Sequence, residues 1–240
     1  MGRDGRVAIN MRLSVLAGFL EQGRHLNVYE WATAEAARTG AKREGVLRAK
    51  LGRFYERLMA FEAGFERGEE FRYGALNMEG CGVCHYGEFC TVYRSDFPAA
   101  SEVAYLRGDS LRKYVSADAK VDDVAVRRDA APHGRRQCLA TMKHSADVVS
   151  TEQSRWPDLL CSNSDHAPDF VEAVFVGEAT CAGLQAARVP QGEHDRYFAD
   201  LFEESRGALS AARGSLLDTF IRVKEHLDAL GVPLEVIADA

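Results

Sequence analysis

The sequence lacks an apolar run long enough to cross a bilayer. Hydrophobic residues make up 46% of its 240 positions, but a membrane-spanning helix needs about 20 of them in succession. The longest candidate, residues 7–20, is interrupted by Asn10 and Arg12. The same stretch has no convincing cleavage site for a secretory leader. We therefore expect a cytoplasmic protein that makes no use of a membrane.

Two motifs of common enzyme classes are also missing. There is no glycine-rich loop followed by Lys-Ser/Thr for binding phosphates, and no Gly-x-Ser-x-Gly elbow for a nucleophilic serine. The formal net charge of −6 argues against nucleic acid as a partner, although residues 1–60 carry a local excess of basic side chains. We expect a small-molecule substrate as the partner, and the sequence is compatible with a homodimer.

What the sequence does contain is a short segment rich in cysteine and glycine. Cys81, Cys84 and Cys90 lie within ten residues of one another. A Cys-x2-Cys step allows two sulfurs to converge on one metal, and five further residues let the chain pass round a cluster before the third. Thiols in the cytoplasm stay reduced, so grouped cysteines there indicate metal binding or catalysis more often than disulfides. Three glycines permit unusual backbone angles and close approaches in this segment: Gly80, Gly82 and Gly87.

The spacing is compatible with more than one cofactor. We favour an iron–sulfur cluster of the [4Fe-4S] type, because Cys-x2-Cys-x5-Cys suits three of its corners. The fourth ligand is then a distant cysteine, to which we assign Cys181, or a bound substrate; Cys138 and Cys161 are open as alternatives. Zinc is the second hypothesis, and a structural zinc site needs four protein ligands. Haem is the third, because Cys81-x-x-Cys84-His85 matches the attachment motif for covalent haem. Unliganded thiols in a loop are the remaining alternative.

The hydrophobic pattern predicts an α+β fold that is mostly helical, with long N- and C-terminal helices around a small antiparallel sheet. Apolar residues step by three or four through residues 28–65, with a break near Gly40, and again through residues 193–230. Segments rich in β-branched residues at 121–128 and 170–182 are the predicted strands. We expect a single domain of residues 1–240 with four regions: a helical region at 1–75, a metal loop at 76–95, an α+β core at 96–190 and a C-terminal helix at 191–240.

Two shorter helices complete the predicted secondary structure. One covers residues 11–22 and ends at Gly23. The other begins at Ser95 or Asp96, with Pro98 in its first turn, and continues through several apolar residues that suit one buried side: Val103, Leu106 and Leu111.

A second set of cysteines resembles a known family. Cys138, then Leu159-Leu160-Cys161 with Asp165 four residues on, then a strand and Gly177-x-x-x-Cys181, resemble the L-2-amino-thiazoline-4-carboxylic acid hydrolase-like family over about residues 120–185. The Gly-x-x-x-Cys ending is also similar to small 4-vinyl reductase-type ligand domains. The resemblance implies an α+β domain that acts on a small sulfur- or nitrogen-containing molecule, with Cys138, Cys161, Asp165 and Cys181 near the site.

The residues themselves suggest roles in catalysis. Cys161 is a candidate nucleophile or metal ligand, with Asp165 and His166 to move protons. Arg135 and Arg136 form a basic turn that could hold an anionic substrate group by forked hydrogen bonds. These residues and the cysteine loop together predict a metal-dependent enzyme with hydrolase or lyase chemistry. The alternative from a different class is a zinc-stapled helical binding module whose basic N-terminal helices contact an acidic partner or nucleic acid, and a haem protein is a further alternative.

Overall fold

A computed structural model describes residues 5–152, 155–162 and 168–238 of the chain. The helices in this part of the chain are mostly short, and the longest, with 19 residues, lies near the C-terminus. Their bounds are as follows: α1 Leu13–Gln22, α2 Val28–Thr39, α3 Arg43–Leu51, α4 Tyr55–Glu62, α5 Ser110–Lys113, α6 Asp123–Asp129, α7 Arg136–Lys143, α8 Ser145–Ser150, α9 Trp156–Leu160, α10 Gln191–Ser205 and α11 Ala211–Ala229.

The strands correct the predicted fold, because the sheet is large and mixed. In the described residues the strands are β1 Arg6–Met11, β2 Arg72–Asn77, β3 Phe89–Tyr93, β4 Val103–Leu106, β5 Ala130–Pro132, β6 Cys161–Ser162, β7 Asp169–Phe170, β8 Glu172–Phe175, β9 Leu184–Pro190 and β10 Leu234–Ile237. Eight of them pair in the order β10-β9-β3-β1-β2-β8-β4-β5. All of these pairs are antiparallel except β9 with β10. The expectation of long terminal helices around a small antiparallel sheet is therefore wrong.

The N-terminal helices follow local sequence signals. Gly23 adopts a left-handed φ of 74° and ends α1, as predicted. Asn27 begins α2 through a capping box, since its side chain accepts from backbone amides while the Glu30 side chain accepts from the amide of Asn27. Gly40, with φ 71°, ends α2 and confirms the predicted break. The central pattern of residues 28–65 thus becomes three helices.

The predicted strand at 121–128 is wrong, because a helix forms there. The carboxylate of Asp122 accepts a hydrogen bond from the amide of Ala125 and so begins α6. Val124, which suggested a strand, is 75% exposed and packs against no sheet. The other predicted strand, at 170–182, is confirmed only around β8. Local capping outweighed the modest β propensity of isolated valines.

Two further helical predictions need correction. The helix expected to begin at Ser95 or Asp96 does not form, and its expected apolar residues are divided between β4 and α5. Asp109 caps α5 instead, since its side chain accepts from the amides of the first helical turn. The C-terminal pattern at 193–230 is divided into α10 and α11, and Gly207 lies in the break with φ 67°.

The sheet has one face in the main core and one face toward the cysteine loop. Side chains alternate across a strand, and the odd-numbered residues of β1 (Val7, Ile9 and Met11) pack with α1 and α11 in the main hydrophobic core. Ala8 faces the other side and packs with Cys90 and Val92. Helices α2 to α5 lie on that second side. No helix in the part of the chain described above combines the length and hydropathy needed to span a membrane.

Candidate metal and ligand site

One side chain of β1, that of Asn10, holds the segment between β2 and β3 by hydrogen bonds. The Asn10 amide nitrogen donates to the carbonyls of Cys81 at 2.9 Å and Gly87 at 3.0 Å. Its amide oxygen accepts from the backbone N–H of Val83 at 2.8 Å. A single amide thus satisfies three backbone groups that helices and strands leave unpaired. This gives the cysteine loop a defined conformation.

Two of the predicted glycines are required by close approaches. Gly82 has φ 64°, and a Cβ atom there would lie 2.2 Å from the Asn10 side-chain oxygen and 2.8 Å from the Cys90 sulfur. A Cβ atom at Gly87 would lie 2.1 Å from the carbonyl carbon of Met11. The loop therefore packs closely against β1 and against the third cysteine because these positions carry no side chain.

The three cysteines of the loop are neighbours. The thiols of Cys81 and Cys84 share a hydrogen bond, and the charge of a thiolate at Cys84 or Cys90 raises the pKa of Cys81 further, together with burial. Cys90 is fully buried on β3 and accepts a hydrogen bond from the Asn77 amide nitrogen at 3.2 Å. Burial raises the pKa of Cys90 to about 12. Without a bound cation, the Cys81 and Cys90 thiols hold their protons at neutral pH.

A buried cation lies beside these thiols and was missed by the sequence reasoning. Arg188 on β9 pairs in register with Cys90 on β3. Its guanidinium donates to the carbonyl of Gly80 at 3.4 Å and to Glu235 at 2.7 Å. Its positive charge lowers the pKa of both Cys90 and Cys81, against the larger effect of burial. This pairing cannot be recognised in the sequence, because Arg188 and Cys90 lie far apart in the chain.

Cys161 joins the group from a distant part of the chain. It begins β6 directly after α9, and its thiol donates to the carbonyl of Leu76 at 3.7 Å, next to the Asn77 that contacts Cys90. Burial raises the pKa of Cys161, and negative charge on Cys90 or Cys84 raises it further. A buried, protonated thiol is a weak nucleophile. The expected proton-transfer partners Asp165 and His166 lie outside the described residues.

Cys181 and Cys138 stand apart from this group. The Cys181 thiol donates to the carbonyl of Phe19 in α1 at 3.6 Å, and its amide donates to Gly23. Burial raises the pKa of Cys181, and no other thiol contributes to that shift. Cys138 is exposed on α7. The structure therefore brings Cys161 near the cysteine loop and places Cys181 and Cys138 elsewhere.

The two predicted substrate-binding arginines serve the backbone or face solvent. Arg136 donates to the carbonyl of Gly5 at 2.9 Å and to that of His133 at 2.8 Å, so it ties the turn before α7 to the N-terminal strand. Arg135 is exposed. Neither lines the cavity described below, because their turn follows β5 at the edge of the sheet.

The thiols are grouped without forming a closed ligand set. Among residues 5–152, 155–162 and 168–238, no three His, Cys, Asp or Glu side chains already stand in a metal-binding arrangement. His85, the residue that completes the haem attachment motif, packs its ring against Tyr86 and contacts the Arg112 guanidinium at 3.3 Å. Iron–sulfur, zinc and haem all remain predictions.

A cavity of about 320 Å³ lies on the same side of the sheet as the cysteine loop. Its floor is formed by residues of β1, β2 and β8, and its walls by α2, α4 and α5. Val83 and Tyr86 of the cysteine loop belong to its lining. The volume is at the lower end of the range of about 300–1,000 Å³ for small-molecule sites. The polar lining residues were missed by the sequence analysis, since they come from segments far apart in the chain.

A carboxyl–phenol group adjoins this cavity. Tyr73 lines it and donates its hydroxyl hydrogen to Glu62 at 2.7 Å, while Tyr29 donates to the other carboxylate oxygen. Burial raises the pKa of Glu62 to about 7, although both tyrosine hydrogen bonds favour the ionised form. Glu62 is thus a buried carboxyl that titrates near neutral pH.

Comparisons with known proteins add no relative. No protein-family model, curated protein or solved structure matches this chain.

Proposed function

We propose that Cys81, Cys84, Cys90 and Cys161 hold a metal centre in a cytoplasmic enzyme that acts on a small sulfur- or nitrogen-containing molecule. The observation that carries this proposal is the approach of a distant thiol to the cysteine loop: the Cys161 thiol donates to the carbonyl of Leu76, and the next residue, Asn77, donates to the Cys90 sulfur. Isolated buried cysteines usually behave as small hydrophobic residues, whereas several thiols brought together from two segments form a donor set that a metal ion or cluster binds as thiolates.

The surroundings of the thiols suit a metal–thiolate centre. Cysteine ligands bind as thiolates and must lose their protons. Arg188 supplies positive charge, and the Asn77 amide donates a hydrogen bond to the Cys90 sulfur. Groups of this kind around the ligands tune metal affinity and redox potential. Asn10 already fixes the backbone of the loop that carries Cys81 and Cys84.

An iron–sulfur cluster is the first candidate for the centre. With Cys161 as a fourth ligand, all four irons would be bound by protein and the cluster would serve electron transfer or structure. With only the three cysteines of the loop, one iron would be open to a substrate heteroatom as a Lewis acid. Val83 and Tyr86 lie in the cysteine loop and also in the wall of the cavity, so a molecule bound there would lie close to the centre.

A single zinc ion is the second candidate, and one contact favours it. The Cys81 and Cys84 thiols are already within hydrogen-bonding reach of each other. Two cysteine sulfurs on one tetrahedral zinc are about 3.8 Å apart, given Zn–S bonds of about 2.3 Å. A set of four cysteine thiolates is also the donor set of many structural zinc sites. The zinc ion would then stabilise the fold by linking the segments that carry the cysteines, as in the binding-module hypothesis.

Anaerobic purification followed by an absorbance spectrum and metal analysis separates these candidates. A brown protein with about four irons per chain supports the cluster, and a colourless protein with one zinc supports the single ion. Cys84→Ser should lose the metal in either case, and Cys161→Ser should lower its occupancy. Cys138→Ser is the matched control, because Cys138 is exposed on α7. A folded wild-type protein that retains no metal after reconstitution with iron and sulfide, or with zinc, would overturn the proposal.

A further inference from the structure

The surface of the cavity beside the cysteine loop is mostly apolar, although several of its lining residues are polar or charged. Leu58, Phe71, Leu111 and Phe170 line its walls, and Ala8 and Ala75 lie in its floor. None of the six cysteines belongs to the lining. The proposed metal ligands are therefore not part of the lining, but Val83 and Tyr86 of the same loop are, so metal content is to be measured on the same samples as ligand binding.

The charged groups at the cavity are already paired. The Arg72 guanidinium, which is 5% exposed, forms an ion pair with Glu30 at 2.7 Å. Asp109 accepts hydrogen bonds from the amides of Leu111 and Arg112 and from the Tyr86 hydroxyl. Within the described lining, these partners leave no charge for a ligand to neutralise. A charged ligand would lose its hydration without gaining a counterion, at considerable cost.

Two buried polar atoms at the cavity lack a well-formed hydrogen bond to the described residues. The Ser110 hydroxyl is one of them: it is fully buried and interacts with the Glu172 carboxyl, but not at hydrogen-bond geometry. The His25 ring nitrogen Nδ1 is also buried without a partner in the described chain. Buried polar atoms in folded proteins nearly always find a partner. We therefore expect a polar atom of a ligand to form a hydrogen bond with an unpaired group that borders the cavity.

Glu172 adds a buried carboxyl to the same wall. One of its oxygens accepts from the Ser110 amide at 2.8 Å. Burial, and then the nearby negative charge of Asp109, raise its pKa well above the usual range. Burial and the positive charge of Arg72 lower the pKa of His25 to about 4. The raised pKa of Glu172 favours its protonated form, and the imidazole of His25 is uncharged at neutral pH, so both can exchange hydrogen bonds with a ligand that carries no charge.

We propose that this cavity binds a neutral, largely apolar small molecule with one hydrogen-bond-accepting oxygen, which receives hydrogen bonds from the Ser110 hydroxyl and the Glu172 carboxyl. A compact aryl or cyclic ketone has this chemistry. Its apolar body replaces water on the hydrophobic lining, and its carbonyl accepts from the buried Ser110 hydroxyl and from the neighbouring carboxyl of Glu172.

Three probes of one shape test the class of ligand. 2-Acetylnaphthalene is neutral and has a carbonyl; 2-ethylnaphthalene lacks the carbonyl; 2-naphthoate carries a charge. Equilibrium dialysis of each probe against the full chain at neutral pH measures affinity. The ketone should bind about tenfold more tightly than the ethyl compound, which corresponds to roughly one hydrogen bond. It should exceed naphthoate in affinity by more than about tenfold, because an uncompensated buried charge costs more than a lost hydrogen bond. No binding of the ketone, or naphthoate binding as tightly as the ketone, would overturn the proposal.

Variants test the location. Leu111→Trp fills the cavity and should reduce ketone binding at least about tenfold, whereas Leu216→Trp, at an exposed position of α11, should leave it unchanged. Ser110→Ala should remove the preference for the ketone over the ethyl compound, and Ser215→Ala on the surface of α11 should preserve it. Undiminished binding in a folded Leu111→Trp variant excludes this cavity. Metal content measured on the same samples shows separately whether the metal proposal holds.

Discussion

Arg188 and Cys90 lie directly across from each other on β9 and β3, with both side chains buried. The guanidinium also reaches the Gly80 carbonyl at the start of the cysteine loop. A cation in this position stabilises thiolates, and thiolates are the form in which cysteine binds metal. The pair therefore connects the architecture of the sheet to the chemistry of the loop.

Replacing this cation should weaken metal binding. We expect Arg188→Met to lower the affinity for zinc about 10- to 100-fold, the usual effect of removing a group that supports metal ligands. Competition with a chromophoric chelator gives the affinity. Arg206→Met, which removes an exposed arginine of the segment after α10, is the control. Equal affinity in the two variants would show that Arg188 serves only its ion pair with Glu235.

The Asn10 side chain should be essential to the conformation of the cysteine loop. Asn10→Ala removes three hydrogen bonds to the loop backbone, and we expect a loss of about 1–3 kcal/mol in the free energy of unfolding. Urea denaturation measures this, and amide hydrogen exchange of Val83 should become faster. Gln191→Ala removes an amide that pairs with Asp195 on the exposed surface of α10, and its effect should stay within about 0.5 kcal/mol. A similarly small effect at Asn10 would contradict the structure.

Gly87 should tolerate no side chain. A Cβ atom there would overlap the backbone of Met11, and neither β1 nor the loop can move without breaking sheet hydrogen bonds. We expect Gly87→Ala to destabilise the protein by about 3 kcal/mol. Gly134→Ala is the matched control, because nothing lies within 4 Å of its Cβ position. Thermal and urea unfolding of both variants test this difference.

Glu62 should make stability depend on pH near neutrality. Its pKa rises from 4.5 to about 7 in the folded protein, mainly through burial. The folded state therefore binds the Glu62 proton more tightly than the unfolded state does, and this stabilisation is complete below about pH 4.5 and lost as the pH rises through about 7. The wild-type free energy of unfolding should fall relative to that of Glu62→Gln across this interval.

Urea denaturation at several pH values measures the effect of Glu62. The control is Glu225→Gln, at an exposed position of α11, whose curve should run parallel to that of the wild type. A constant difference between wild type and Glu62→Gln from about pH 5 to about pH 8 would be incompatible with a buried carboxyl of raised pKa.

Local signals in the sequence predicted some elements correctly. Gly23 and Gly40 end helices because they can adopt positive φ at low cost. Gly82 and Gly87 also fulfil their expected role in the cysteine loop. Val124 and Val126 led to the wrong prediction of a strand, since a short β-branched pattern does not show whether a neighbouring strand is available for pairing. The capping carboxylate of Asp122 was the stronger signal.

The size of the sheet could not be predicted from such local signals. β1 lies at the centre of the eight strands and is followed immediately by a helix. Its six residues carry too little periodicity to be recognised alone. Strand order depends on which distant segments pair, and that information is distributed over the whole chain.

The sequence by itself determined that three thiols and their glycines form one compact loop, because neighbours in the chain are necessarily neighbours in space. Only the tertiary structure decided that Cys161, and not Cys181, stands beside them. It also decided that Arg188 faces Cys90 and that Glu172 and Ser110 border a common cavity. These contacts arise from strand pairing between segments far apart in the chain. The spacing of residues in the sequence does not indicate which segments pair.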